Sequence, residues 1–280
     1  MSDPLPVYRV RAKNTAAQGE NRIHDDALAR RYGFRGGLVP GVVVYAYLTE
    51  PLVAGLGEAW LARGTAHARF RRPVLDAEEV TVTGDVTGRD ARAASGRVAA
   101  RTETEGDCGL AEVTLPAGSP TPVNVAMYPR AALPAERPPA SREHLGRVDV
   151  LGTPETTYDA EVAAAWLEKV NDPLPVYRGR DAWVHPAFYL DQANRALDQN
   201  VRLGPWIHVE SRVRHLGGAR IGETLQTRGR VRSVYERKGR QYVELDLLIV
   251  ASGERPRPVA HVFHTAIFEL GSVESTAPAC

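Results

Sequence analysis

In Asn21-Arg-Ile-His24 the sequence sets an imidazole three residues after an amide, and a glycine follows at Gly41, directly after Pro40. Histidine ionises nearest to neutrality, so His24 could orient or activate a water, and Asn21 could fix that water or a carbonyl by hydrogen bond. The same residues also have a plain structural use. Asn21 can N-cap a short helix that His24 begins, and Gly41 can ease a tight turn after Pro40. Carboxylates stand nearby at Glu20, Asp25 and Asp26, the last two placed to stabilise a helix N-terminus.

Other chemistries lack their residues. The sequence has no G-x-x-x-x-G-K-[ST] loop, no G-x-G-x-x-G after a strand and no G-x-S-x-G turn. Gly55-Leu-Gly57 lacks the third glycine and reads as a helix C-cap. Two cysteines, Cys108 and Cys280, build neither a disulfide framework nor a four-ligand zinc site. His261 and His264 are three apart on an expected strand, which turns their rings to opposite faces, so no metal is expected. With 35 basic and 34 acidic residues the formal charge is +1, which removes the bulk electrostatic case for nucleic acid or an anionic membrane. Only Lys13, Lys169 and Lys238 are lysines, so anions would be met mainly by arginine forks. The longest mostly apolar stretch, Gly36 to Leu48, is too short to span a bilayer, and no apolar run follows a basic start at the N-terminus. The expectation is a soluble cytoplasmic protein without a cofactor.

The elements that would hold these residues come in two similar sets. Among the 280 residues, seven of the 20 prolines fall between Pro116 and Pro139, in a stretch without periodicity. That stretch reads as a linker over 119–149 between units at 1–118 and 150–280. In the first unit, Val42 to Leu48 is apolar on every face, as a fully buried helix would be, and Pro51 should end or kink it. Strands are expected at Ala66–Pro73, Glu79–Thr87, Ser95–Thr104 and Gly109–Leu115. In the second unit, Ala160–Val170 reads as an amphipathic helix and Pro186 opens another over Ala187–Gln199. Four strands then follow at Trp206–Leu216, Glu223–Ser233, Gln241–Ala251 and Pro258–Leu270. In the first of them Ile207, Val209 and Val213 share one face and Arg212 and Arg214 the other. Helix followed by long antiparallel strands, twice over, predicts an α+β fold in which each sheet wraps one helix. Asp3-Pro-Leu-Pro-Val-Tyr-Arg9 recurs unchanged at Asp172–Arg178, at a spacing that does not match these units.

The stretch from Asn21 to Gly41 resembles the R-specific enoyl-CoA hydratases, the MaoC-like dehydratases of the hotdog fold. Their signature is D-x-N-P-[LIV]-H, a short helix, G-F, and a glycine opening the central helix. Asn21, Ile23, His24, Gly33, Phe34 and Gly41 match it, while Arg22 replaces the proline and Gly19 stands at the aspartate position. In the second unit Asp172 and Pro175 keep the aspartate and proline, but Leu174 and Tyr177 stand for the asparagine and histidine. The resemblance implies a double hotdog, an internal pseudo-dimer open to further homodimerisation.

It also implies a chemistry: water adds across a trans-2-enoyl thioester, or leaves in reverse, on a CoA or acyl-carrier-protein handle. His24 would be the acid/base, Asn21 the positioning residue and Gly41 the oxyanion donor, with Glu20 replacing the carboxylate missing at Gly19. Arg35, Gly36, Tyr177 and Asp172 would bind substrate, and Arg35, Arg69, Arg71 and Arg72 could clamp phosphates. Two alternatives stand beside it. A hotdog thioesterase would use Asp191 with Asn194, or Glu50, facing the groove, and a decayed homologue would bind acyl thioesters without turning them over. Tyr177 and His185 could line a second pocket, or pack and cap a helix.

Overall fold

The computed structural model describes residues 3–89 and 93–271; Cys280 lies outside them. The first chemically interesting turn is local in origin. Asn21 caps a 3-10 turn at Arg22–His24, its side chain accepting from the Ile23 N–H, and Asp25 then caps α1 (Asp26–Arg31) by accepting from Leu28 N–H at 3.0 Å. Asp26 accepts from Gly37 N–H at 2.8 Å and draws the following loop back over this turn. A Cβ at Gly37 would lie 2.2 Å from the His24 carbonyl oxygen, so only glycine permits this approach.

The loop delivers the chain to α2 (Gly41–Leu56), whose residues from Val42 to Val53 are all buried. Of the two outcomes expected at Pro51, an end or a kink, the helix does not take the first: α2 continues to Leu56. An interior proline costs about 3 kcal/mol, and fully burying each of Leu48 and Leu52 returns about 1.5–3 kcal/mol. A short α3 (Glu58–Arg63) follows and buries Trp60.

Eleven strands form one antiparallel sheet among the described residues. In the first half these are β1 (Asp3–Pro4), β2 (Tyr8–Arg11), β3 (Thr65–Phe70), β4 (Glu79–Arg89), β5 (Ala93–Thr102) and β6 (Gly106–Pro116). After α4 (Arg142–Leu145) come β7 (Glu155–Thr157), α5 (Ala160–Val170), α6 (Pro186–Asp198), β8 (Ile207–His215), β9 (Thr224–Arg237), β10 (Arg240–Ala251) and β11 (Arg257–Glu269). The long strands run β4-β5-β6-β3 and then β8-β11-β10-β9, so the second half repeats the first about the β3–β8 seam. That seam pairs Thr65 with Arg214 through Arg69 with Glu210, and α2 packs on α6 beneath it. One apolar core spans both halves.

The 119–149 segment packs against the second half, and β8 departs from the sequence reading for a physical reason. Tyr128 from this segment is buried against Leu216, Leu248 and Val250, and its hydroxyl donates to Asp246 at 2.8 Å. In β8 the expected apolar face breaks, because Ala266 pairs with His208 while Thr265 pairs with Glu210, leaving Val209 as the extra residue of a bulge. The bulge turns His208, rather than Val209, into the interior alongside Ser211 and Val213.

Candidate active site

A cavity of about 450 Å³ opens where the two halves meet. Its walls are the Asn21–His24 turn, the N-terminus of α2, the chain leaving β3, one face of α6 and the start of β8.

His24 is fixed at one nitrogen and available at the other. Its Nδ1 lies 2.6 Å from the Leu38 carbonyl oxygen, which only accepts, so Nδ1 carries the proton. In the neutral ring Nε2 is then a lone pair, which accepts weakly from Asn21 Nδ2 at 3.3 Å. Burial lowers the His24 pKa below its usual 6.5; the Leu38 carbonyl opposes this and Lys169 adds to it. The neutral, basic form is therefore favoured.

Asn21 spends its whole amide on position. Nδ2 also donates to the Trp206 carbonyl at 2.9 Å, and Oδ1 accepts from Trp206 N–H at 3.2 Å and Ile23 N–H at 3.4 Å. One side chain thus ties the His24 turn to the start of β8 in the other half.

Gly41 occupies the first position of α2 behind Pro40, and no side chain caps this end; the Val43 N–H turns back to the Pro40 carbonyl at 2.9 Å. The glycine answers a crowding requirement. A Cβ here would stand 3.2 Å from His208 Nδ1 and 3.3 Å from both the His208 carbonyl oxygen and Phe70.

The remaining expected residues divide between rim, cavity and elsewhere. Glu20 is on the rim, but its carboxylate pairs with Arg137 at 3.0 Å, and Arg137 also bonds Asp198. Gly19 lines the cavity with no carboxylate to offer. Arg35 pairs instead with Glu78 and Glu105 on the surface, and Gly36 packs against the Asp26 carboxylate; neither lines the cavity. Arg71 and Arg72 do line it, joined at the mouth by Arg195 and Arg240, whereas Arg69 pairs with Glu112.

Asp172 and Tyr177 belong to a sealed cluster away from this cavity. His185 caps α6, its Nδ1 accepting from Ala187 N–H, while its Nε2–H donates to Asp172 at 3.1 Å. The Tyr177 ring lies 4.5 Å from the imidazole. Glu50 is buried in the same region, where desolvation and then the Asp172 charge push its pKa up to about 7. Asp191 and Asn194 do face the cavity; Asp191 is held by Lys169 at 3.1 Å, and the buried Asn194 Oδ1 meets no protein donor.

Reading the sequence missed the aromatic and histidine wall at Trp206 and His208. The bulge that brings His208 inward is a pairing event with β11, and no residue within β8 announces it. His261 and His264 do point to opposite faces: His261 bonds Asp246 and Tyr128, while His264 is buried against Ser211.

Solved structures share this architecture. A Mycobacterium tuberculosis double-hotdog protein, described as essential for bacterial survival during infection, superposes with a TM-score of 0.62 at 16% identity, over 94% of this chain and 96% of its own. A Chloroflexus aurantiacus protein provisionally named a MaoC-domain dehydratase gives 0.60 at 11%, over 96% and 95%. A Lactobacillus plantarum protein provisionally named an oleoyl thioesterase gives 0.53 at 11%, over 96% and 97%. No family model and no curated protein matches by sequence. Among the described residues no helix is long and apolar enough to cross a membrane. The chain has the double hotdog fold, one sheet whose two halves each pack on a helix and meet at one seam.

Proposed function

We propose that the protein hydrates a trans-2-enoyl thioester, or dehydrates the corresponding 3-hydroxyacyl thioester, on a CoA or acyl-carrier-protein handle. The observation that carries this is His24, whose Nε2 lone pair is fixed by the Leu38 contact in a cavity shared with the uncapped start of α2. Water bonds through oxygen to Cβ as Nε2 takes one of its protons, and the Cα=Cβ electrons shift onto the carbonyl oxygen. The Gly41 N–H and the positive end of the α2 dipole stabilise that enolate. His24 then returns its proton to Cα, so a single base completes the addition without the carboxylate that Gly19 lacks. The arginines at the mouth supply counter-charge for phosphates of the handle.

The rival reading, thioester hydrolysis, draws on Asp191, a carboxylate lining the same cavity. Short and medium trans-2-enoyl-CoAs separate the two when enoyl absorbance and free thiol are followed together. Hydration predicts loss of the enoyl band without thiol. Thiol release that survives His24→Ala but not Asp191→Asn would move the chemistry to hydrolysis.

A further inference from the structure

His208 enters the cavity from the C-terminal half and is not required by any step above. Its side chain is buried, its ring 4.2 Å from that of His264 and tilted 31° to it, and edge-on to Phe70 at 4.7 Å. Nε2 lies 2.8 Å from Ser211 Oγ, and the same oxygen lies 3.0 Å from His264 Nδ1. The outer nitrogens, His208 Nδ1 and His264 Nε2, are buried without partners. Ser211 has one proton to give, so it donates to one ring and accepts from the other, and the two tautomers are locked together. When it donates to His208 Nε2, the proton of His208 sits on Nδ1, the atom beside Gly41.

We infer that His208 Nδ1–H is a second oxyanion donor, acting with the Gly41 N–H on the thioester carbonyl oxygen, and that Ser211 and His264 hold the tautomer this requires. The inference rests on the acyl-thioester reading and adds to it a residue from the opposite half. An unpartnered buried N–H carries an uncompensated desolvation cost, which a bound carbonyl oxygen relieves. Burial holds both imidazoles uncharged, with His208 well below its usual pKa and His264 lowered to about 3. A neutral imidazole polarises a carbonyl by donating a hydrogen bond while keeping its proton, so no proton need travel along Ser211.

The test is spectroscopic and does not depend on turnover. In a His24→Ala background, 2,4-hexadienoyl-CoA is bound and its near-ultraviolet band is read, since polarising the carbonyl moves that band to the red. The expected result is a red shift in His24→Ala that falls by more than half when His208→Leu is added, with binding by calorimetry retained. His208→Asn, which keeps an N–H near the Nδ1 position, should recover part of it. Nitrogen-15 NMR of the complex should find the His208 proton on Nδ1, and Ser211→Ala should weaken that preference. With His24 intact, His208→Leu should lower hydration about 10²–10³-fold in kcat. A full red shift in His208→Leu, or a His208 proton on Nε2 in the complex, overturns the assignment. Failure of the thioester to bind at all overturns the acyl-thioester reading and this inference with it.

Discussion

His24 presents a base whose tautomer is set by one carbonyl oxygen and whose ionisation is set mainly by burial. Because its pKa lies below the ordinary 6.5, the lone pair on Nε2 survives as the pH falls through that value. The acid limb of the kcat/KM profile should therefore have its midpoint below pH 6.5; a midpoint at 6.5 or above would contradict this. Gly19 offers the opposite kind of test. Its backbone is not in the left-handed region, and a Cβ there meets only the Ala16 carbonyl oxygen, at 3.1 Å. Gly19→Asp should fold and raise the hydration rate, by about 10²-fold if the new carboxylate shares the water with His24, as steady-state kinetics would show. His24, Asn21 and Gly41 were legible because they sit close in sequence and form one motif. Glu20 was legible only as a type of residue, since its actual partner, Arg137, lies 117 residues away.

Elements set how firmly that base is held. The Gly36-Gly37 corner lets the loop cross over the His24 carbonyl, and Gly37→Ala would drive a methyl into it. The expected outcome is a loss of about 1–3 kcal/mol in denaturant unfolding, with activity falling further than stability because His24 moves. Unchanged unfolding and unchanged rate would show that the corner does not position the base. Most helices and strands were readable from period and caps: α5 has the predicted limits, and Leu190, Ala193 and Leu197 of α6 are buried as expected. The rest was decided by tertiary contact. Pro51 remains inside α2 because every neighbouring residue is buried. The repeated heptapeptide shows the same rule most directly. Its first copy contributes β1 and the start of β2, while the second makes a 3-10 turn at Pro175–Tyr177. Tyr8 of the first copy donates its hydroxyl to the carbonyl of Asn171, the residue just before the second copy, at 2.8 Å.

At the scale of the whole molecule, the site exists only because two units close on each other. His24 and Gly41 come from one, Trp206 and His208 from the other, and the β3–β8 seam carries the sheet across. The core around that seam encloses His208, His215 and His264, whose pKa values burial lowers, the latter two to about 3. Unfolding releases them to about 6.5, so below that pH the unfolded chain binds more protons than the folded one. Their contribution to stability is thus full above 6.5 and is lost as the pH falls towards 3, by at most about 1.4 kcal/mol per histidine per pH unit; Glu50, raised to about 7, offsets only one histidine's share between about 7 and 4.5. The urea midpoint should drop between about pH 7.5 and pH 5, where ordinary carboxylates stay charged; a flat midpoint would contradict the neutral burial of these rings. Whether His24 adds water in this cavity is read from the mass of a trans-2-enoyl-CoA after incubation with the protein. The expected result is a gain of one water with the wild-type chain and none with His24→Ala, the thioester remaining intact in both. An equal gain in the variant, or an unaltered enoyl thioester with the wild type, would contradict it.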